Sequence, residues 1–262
     1  MRCITKDLAA QMEGCIKQTH IEVTKLYPQG KILNVNGGAA CFSGSDSYLS
    51  QVVGWGFTTE PKQFKSEIEG IEQFYLNQSH GRVDIELCPY VGNELTLFLS
   101  KRGYQVTELN NVSALCLKEY VPFDYHSEPF EIKEVPGAQL DEWATRVAVG
   151  FGYPDAREQF FQYVQANGVK AFAAYDKGKV VAGAVIAVYG DFCDLGVTST
   201  LPIYRGKGLQ KKLLQARLNF AKKLGLSWAI VTTEPGTVSD ANIQKIGFRC
   251  AYTRVKMTCM LD

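Results

Sequence analysis

The chain has 262 residues, of which 46% are hydrophobic and 21% charged, and its formal net charge is +1. This composition can form a buried core, and the length suits two domains of ordinary size better than one. A chain so close to neutral is not drawn as a whole to nucleic acid or to a membrane surface, so any binding of polyanions must be local.

The cysteines and histidines indicate neither a metal site nor a redox motif. The eight cysteines are scattered without a Cys-x-x-Cys pair, which favours buried, reduced thiols over the alternative of a disulfide framework. The three histidines, at positions 20, 80 and 126, are far apart. Met1 to Asp7 lacks a signal-peptide apolar region, and the longest apolar run, Val180 to Tyr189, is about half a membrane helix in length. We therefore expect a cytoplasmic protein with no metal, no nucleic-acid partner and no membrane partner.

In the N-terminal half, the pattern predicts a helix over Pro61 to Asn77 and a buried strand over Val83 to Leu87. A segment from Leu97 to Tyr104 then contains Gly103 as a helix stop, and Val112 to Leu117 follows as a strand. The first helix is preceded by Gly54-Trp55-Gly56-Phe57-Thr58-Thr59-Glu60-Pro61, which contains no basic residue.

After a connector from Tyr120 to Pro129, the C-terminal half shows a longer series of elements. The predicted helices are Leu140 to Val149, Pro154 to Gln165, Leu209 to Leu224 and Asp240 to Ile246. The predicted strands are Phe130 to Val135, Lys170 to Tyr175, Val180 to Tyr189, Phe192 to Thr198, Trp228 to Thr233, Phe248 to Thr253 and Val255 to Met260. The second and third strands are expected to form a hairpin around the turn at residues 176–179.

A glycine-rich turn, Arg205-Gly206-Lys207-Gly208-Leu209-Gln210, joins the strand that ends at Thr198 to the helix that follows. Such a turn directs backbone N–H groups outward at the positive end of a helix dipole, and Arg205 and Lys207 add charge, so it predicts a pyrophosphate site. The spacing is not G-x-G-x-x-G, because Lys211 stands where the third glycine would fall, and it is not that of a P-loop. The simpler interpretation is a basic helix start closed by a glycine turn.

The turn resembles R-x-x-G-x-[G/A], the acyl-CoA pyrophosphate signature of the GNAT N-acetyltransferase superfamily. The approach from Thr200 to Tyr204 is also similar to that of the family, whereas Gln210 stands where Gly or Ala is usual. The order of the predicted elements, β-α-α-β-β-β-α-β-α-β-β, is that of the GNAT fold. The resemblance covers about 130 residues and implies an α/β (α+β) fold with a mixed, mostly antiparallel sheet flanked by helices.

The N-terminal half ends in a similar series. Leu97 to Tyr104 resembles Ala241 to Phe248, and in each half a strand follows. These repeats favour a tandem arrangement of two GNAT-like domains: a degenerate copy over residues 1–125, without the pyrophosphate loop, and a catalytic domain over residues 126–262. The alternative is an unrelated α+β domain at the N-terminus.

The resemblance implies where the co-substrate, acetyl-CoA, would bind. The positions that match the strand whose backbone binds the pantetheine arm are Thr198, Ser199 and Thr200, although these three residues could also form only a turn. Arg205, Gly206, Lys207, Gly208, Leu209 and Gln210 would take the pyrophosphate. Asn242 matches the asparagine that contacts CoA in many members, or is a polar residue in a helix whose N-cap is Ser239 or Asp240.

The catalytic groups are less well defined by the resemblance. Many members place a tyrosine four residues before the glycine of a Gly-Phe pair as the acid, but Ile243 stands there, leaving Tyr204 and Tyr252 as substitutes. Asp194 matches the strand carboxylate that serves as base in histone-type members, and a carboxylate amid apolar neighbours tends to have a raised pKa. Alternatively, Asp194 makes a strand-edge hydrogen bond. Glu234 is a second candidate, and many members use water.

These residues predict an enzyme that moves an acetyl group from acetyl-CoA to a primary amine. A small-molecule acceptor is favoured because the chain has no acidic run to hold a basic peptide. Trp55, Phe57, Phe151 and Tyr153 either line the acceptor cleft or belong to the core. The protein is expected to be a monomer or homodimer. The competing hypotheses are a non-catalytic protein that senses acyl-CoA and a transferase for longer acyl chains.

Overall fold

The structure, a computed structural model, describes residues 4–45, 47–123 and 129–261. The helices are α1 (Lys6–Thr24), α2 (Phe64–Leu76), α3 (Asn93–Lys101), α4 (Leu140–Phe151), α5 (Arg157–Gln165), α6 (Leu209–Lys223) and α7 (Val238–Ile246). The strands are β1 (Lys31–Val35), β2 (Gly38–Phe42), β3 (Val52–Val53), β4 (Arg82–Leu87), β5 (Gln105–Cys116), β6 (Glu131–Glu134), β7 (Val169–Asp176), β8 (Lys179–Tyr189), β9 (Phe192–Asp194), β10 (Thr198–Thr200), β11 (Trp228–Thr233) and β12 (Arg249–Met260).

The chain divides into two compact units. Unit 1 consists of residues 1–113 and 232–262, and unit 2 of residues 114–231. Each unit contains strands that pair mostly in antiparallel fashion, with helices packed against them, which is the predicted α/β (α+β) class. The domain boundary predicted between residues 125 and 126 lies outside the described residues, as do Met1 to Cys3 and His126.

In unit 1 the strands are arranged in the order β1-β2-β3-β4-β12-β5. Only β3 and β4 are parallel among the pairs with a described register, and they meet at a single position, Val52 opposite Ile85. Helix α1 begins at the N-cap Thr5, whose hydroxyl accepts a hydrogen bond from the Leu8 N–H. The core contains large buried side chains, among them Trp55, Ile68, Ile85, Leu99 and Tyr104.

A buried ion-pair cluster lies inside unit 1, between α1, β4 and β12. The Arg254 side chain is 3% exposed, and its Nε and Nη2 atoms lie 3.2 and 3.0 Å from Oε1 of Glu13, which is itself 1% exposed. Its Nη1 atom lies 3.7 Å from Oε2 of Glu86, and Tyr252 also donates to Glu13, at 2.7 Å. Glu86 also lies 3.5 Å from the Lys256 ammonium, so Arg254 is the cation that the two buried carboxylates share.

In unit 2 the strands are arranged in the order β11-β9-β8-β7-β6, with β10 paired to β8. Strands β9 and β11 are parallel, with Asp194 opposite Ile230, and the other pairs are antiparallel. The predicted hairpin is confirmed, because β7 and β8 are joined by Lys177 and Gly178, which have φ values of 49° and 78°. Two successive positive φ values are typical of the type I′ turn, which suits the twist of a hairpin.

Two strand predictions were wrong. The single strand predicted over Phe192 to Thr198 is two strands, because residues 195–197 leave the sheet pattern and Val197 has a φ of 30°. The two strands predicted at the C-terminus are one, β12, which continues through Thr253, Arg254 and Val255. No glycine, proline or asparagine interrupts that stretch, and the bonds of Arg254 to Glu13 favour an uninterrupted strand.

Helix α4 packs very closely on the sheet of unit 2. A Cβ atom added at Gly150 would lie 2.5 Å from the Ser199 hydroxyl oxygen, and one added at Gly183 would lie 2.5 Å from the Trp143 ring nitrogen. The Trp143 indole donates to the Phe172 carbonyl at 3.0 Å. These glycines are needed because no side chain would fit between the helix and strands β8 and β10.

The buried cluster predicts a large difference between two substitutions in unit 1. Arg254→Met should lower the free energy of unfolding by about 3–5 kcal/mol, since it leaves two buried carboxylates without their guanidinium. Lys62→Met is the matched control: Lys62 pairs with Glu60, but their side chains are 78% and 62% exposed, so the change should be within about 1 kcal/mol. Thermal unfolding followed by circular dichroism measures both, and equal melting temperatures would contradict the assignment.

Candidate cofactor site

The glycine-rich turn adopts a backbone that only glycine enters readily. Gly206 and Gly208 have φ values of 78° and 74°, and a Cβ atom added at either would meet nothing within 4 Å. Helix α6 begins at Leu209 with Gly208 as its N-cap, and the N-cap has no side chain to bond the first turn. The first N–H groups of a helix have no intrahelical acceptor, so this end of α6 presents donors to an anion.

The charged residues in the sequence on both sides of the turn are all basic. No acidic residue occurs in the sequence between positions 195 and 233, whereas Arg205, Lys207, Lys211 and Lys212 lie within eight positions. The Arg205 guanidinium is held against the backbone, where Nη2 donates to the Gly150 carbonyl at 2.9 Å and Nε to the Thr200 carbonyl at 3.4 Å. The Lys207 ammonium lies 4.7 Å from the centre of the Tyr204 ring. Arg205 therefore braces the turn in addition to adding charge.

Strand β10 carries the three residues predicted to meet the pantetheine arm. It pairs along one edge with β8, with Thr198 opposite Ala184. The Ser199 hydroxyl donates to the Val147 carbonyl at 2.9 Å, and the Thr198 hydroxyl accepts from Arg217 at 3.1 Å. These two hydroxyls are therefore used within the fold.

Asp194 ends strand β9, immediately before the chain leaves the sheet. The residue is 9% exposed and lies opposite Ala187 on one side and Ile230 on the other. Arg217 on α6 attracts it electrostatically. A positive charge nearby favours the ionised carboxylate, which is the form that accepts a proton.

The other two predicted site residues, Glu234 and Asn242, belong to unit 1. Glu234 is exposed and lines a cavity of about 590 Å³ with Pro235 and residues 106–110. Asn242 is half-buried in the first turns of α7. The predicted N-cap was wrong: α7 begins at Val238, and the N-cap is Thr237, whose hydroxyl accepts from the Asp240 N–H at 3.3 Å.

Asp240 is instead the buried anchor of this helix. Its carboxylate accepts hydrogen bonds from the Thr233 hydroxyl at 3.1 Å and the Gln244 amide at 3.0 Å. These bonds tie the end of β11 to the start of α7, and they fix the segment on which Glu234 lies. The capping pattern was missed because Thr, Ser and Asp occur together at 237–240 and any of them suits an N-cap.

Both tyrosines considered as the acid donate their hydroxyl hydrogens to carboxylates of the protein. Tyr204 donates to Asp176 at 2.8 Å, and this hydrogen bond raises the pKa of its phenol. Tyr252 is 6% exposed and donates to Glu13, and burial raises its pKa well above the ordinary range. Ile243, at the position of the family's tyrosine, is buried.

The aromatic residues considered for the acceptor cleft have different environments. Trp55 is fully buried in unit 1, where it belongs to the core. Phe151 is 40% exposed and stacks on Phe160 with ring centres 5.4 Å apart, and Tyr153 is 69% exposed. Of the two interpretations, cleft lining or core packing, the structure supports core packing for Trp55.

Arg217 is the residue near the site that the sequence analysis missed. It lies four positions after Leu213 and four before Ala221, both of which are buried, so it stands inside the apolar face of α6. A charged residue on the apolar face of a predicted helix is unusual, and this is the sequence signal that could have identified Arg217.

Residues 138–248 match the model of the family described as the acetyltransferase (GNAT) family. Its members are acyltransferases that take the acyl group from acyl-CoA. No curated protein gives a match to the sequence.

Solved structures with the same fold cover nearly the whole chain. A GCN5-related N-acetyltransferase from Kribbella flavida is 16% identical over 96% of this chain and 95% of its own, with a TM-score of 0.72. A tandem GNAT protein from the clavulanic acid biosynthesis pathway is 13% identical over 92% of this chain and 87% of its own, with a TM-score of 0.66. A GCN5-related N-acetyltransferase from Sphaerobacter thermophilus is 15% identical over 85% and 80% of the two chains, with a TM-score of 0.63. At these identities the likeness is one of fold.

Two features are absent from the residues that the structure describes. None of the helices that they form is long and apolar enough to cross a membrane. The same residues contain no group of three or more His, Cys, Asp or Glu side chains placed to hold a metal ion.

The turn geometry predicts that Gly208→Val lowers the affinity for acetyl-CoA about tenfold or more, because the added side chain enters the open space in front of the α6 N–H groups. Gly178→Val is a matched control: Gly178 has a φ of 78°, open space around its Cβ position, and a place in the β7–β8 turn. Both variants carry the same kind of strain. Titration calorimetry should show weakened binding only for Gly208→Val, and equal affinities would contradict the assignment.

Proposed function

We propose that the chain is an N-acetyltransferase that moves the acetyl group of acetyl-CoA to a primary amine of a small molecule. The observation that carries this proposal is the turn at Gly206 and Gly208, whose open left-handed backbone precedes the start of α6 in a stretch of sequence without acidic residues. The family match over residues 138–248 supports the reaction class. The catalytic domain in this proposal is residues 126–262.

In this proposal the protein backbone binds two parts of acetyl-CoA, the pyrophosphate and the pantetheine arm. The pyrophosphate would accept hydrogen bonds from the N–H groups of residues 206–210, with Lys207 and Lys211 supplying charge. The pantetheine arm would lie along β10, whose peptide groups pair with β8 on one edge only within the described part of unit 2. Asn242 would add a side-chain contact from α7.

The chemistry requires one proton to leave the amine and another to reach the thiolate. The amine nitrogen attacks the thioester carbonyl carbon, the tetrahedral intermediate releases the CoA sulfur, and the proton lost by nitrogen balances the one that the sulfur takes up. Asp194 is our candidate for the base, since it is largely shielded from water at the end of β9 and is attracted electrostatically by the Arg217 guanidinium. Glu234 is the second candidate.

We propose further that the N-terminal part is a degenerate copy that binds no CoA. Its turn at Gly54, Trp55 and Gly56 follows β3, which pairs in parallel with β4, but the space beside this turn is filled. The Trp55 indole is fully buried and donates to Glu67 at 2.5 Å. A Cβ atom added at Gly56 would lie 2.6 Å from the Leu95 side chain, in contrast to the open space at Gly208.

A non-catalytic acyl-CoA-binding protein is the second candidate function. One observation favours it: Ile243 replaces the expected acid, and the hydroxyls of Tyr204 and Tyr252 are donated to Asp176 and Glu13. Such a protein would bind acetyl-CoA without releasing CoA thiol when amines are added.

An amine panel separates the two functions. Acetyl-CoA is incubated with small primary amines and with lysine-containing peptides, and free thiol is measured. We expect thiol release above the amine-free rate with at least one small amine and none with the peptides. Tight binding without release by any amine would support the sensing function, and faster release from longer acyl-CoAs would correct the acyl group.

The role of Asp194 predicts that Asp194→Asn lowers turnover by about 10²-fold or more while the affinity for acetyl-CoA stays nearly unchanged. Asp191→Asn is a matched control, because Asp191 is exposed in the turn before the same strand and should leave turnover unaltered. Both rates are read from thiol release at saturating substrates. Normal turnover by Asp194→Asn would make the carboxylate structural, and Glu234→Gln would then be the variant to measure.

A further inference from the structure

Helix α6 carries a guanidinium in the interior of unit 2. Arg217 is 2% exposed, and burial lowers its pKa to about 10 against the attraction of Cys193 and Asp194. A buried charge is costly unless hydrogen bonds compensate it, and replacing a buried ion with an apolar residue of similar volume is often harmless to stability. Simple packing therefore does not account for an arginine at this position.

Arg217 donates four hydrogen bonds. One stays within its own helix, and the other three reach acceptors at or next to residues 195–197, which interrupt the sheet between β9 and β10. Nη1 donates to the Val185 carbonyl at 2.6 Å and to the Gly196 carbonyl at 3.2 Å. Nη2 donates to the Thr198 hydroxyl at 3.1 Å, and Nε to the Leu213 carbonyl at 3.1 Å. One side chain thus connects α6, β8, the interruption itself and the first residue of β10.

The interruption needs such a donor because its peptide groups leave the regular ladder. The Leu195 N–H still donates to the Ile230 carbonyl at 2.9 Å, and the Val197 carbonyl accepts from the Val185 N–H at 3.1 Å. Between these two bonds, Gly196 turns its carbonyl toward α6, where Arg217 meets it. Without the guanidinium this half-buried carbonyl would lose its hydrogen bond to α6, which favours a different path for residues 195–198.

We propose that Arg217 is a positioning residue, which holds residues 195–198 in the path that receives the arm of acyl-CoA. This inference rests on the proposed function, because it assumes that the arm lies along β10. It predicts a selective effect: the pyrophosphate turn at 205–210 is held by Gly150 and Thr200 through Arg205, not by Arg217, and should keep its affinity when Arg217 is replaced.

The test compares two ligands on the same variants of the full chain. Acetyl-CoA has both the phosphates and the arm, and 3′-phosphoadenosine 5′-diphosphate is its nucleotide part without the arm. Arg217→Met should lose about tenfold or more of the affinity for acetyl-CoA and less than about threefold of that for the nucleotide. Arg217→Lys keeps the charge but not the planar fork, so it should show the same selectivity with a smaller loss.

Lys222→Met is the matched control on the same helix. The Lys222 ammonium also donates to a backbone carbonyl, that of Leu117 at 2.6 Å, but at the other end of α6 from the turn. All variants are measured by titration calorimetry at a temperature below the lowest of their melting temperatures. Lys222→Met should bind both acetyl-CoA and the nucleotide with the affinities of the parent protein. Equal losses of both ligands by the two Arg217 variants, or no loss of either, would overturn the inference. A parent protein that binds neither ligand would overturn the proposed function and this inference with it.

Discussion

The site in unit 2 depends on the three residues between Asp194 and Thr198, which leave the sheet while the strands on both sides remain paired. Up to Asp194, β9 pairs in parallel with β11, and from Thr198 onward β10 pairs with β8. After this change of pairing, β8 is the only strand that pairs with β10 among the described residues, and the Gly196 carbonyl faces α6. The Arg217 guanidinium, the close fit of α4 at Gly150 and the Ser199 hydroxyl bond all stabilise the resulting path.

The glycine turns at Gly56 and Gly208 have similar backbone conformations but different surroundings. Gly56 and Gly208 both have positive φ values, 100° and 74°. The first is enclosed by Val91 and Leu95 beside a fully buried tryptophan, whereas the second faces open space at a helix N-terminus. A ligand site therefore depends less on the glycines than on what packs against them.

Much of the architecture could be predicted from the sequence, because periodicity and turn residues determine it locally. Helix α6 runs from Leu209 to Lys223 within one residue of its prediction, and its glycine stop, Gly225, has a φ of 77°. The hairpin turn at Lys177 and Gly178 could also be predicted, because its conformation is determined by consecutive residues. The turn at 205–210 was found for the same reason, since its glycines and basic residues are consecutive.

What the sequence did not reveal depends on contacts between distant residues. The continuity of β12 through Arg254 depends on Glu13, more than two hundred positions away, and the strand break at 195–197 depends on Arg217. Apolar residues such as Leu195 and Val197 suit a strand, so the pattern alone could not show the break. The roles of Asp194, Glu234 and Asn242 stay predictions, because their chemistry depends on a ligand.

Hydrogen–deuterium exchange in the presence and absence of acetyl-CoA tests the central claim most directly, because the claim concerns backbone N–H groups. The account predicts slower exchange in two segments on binding, residues 195–200 and residues 206–212, and no change at residues 54–60. Protection confined to residues 54–60, or binding that leaves the amides of 206–212 exchanging at their original rate, would contradict it.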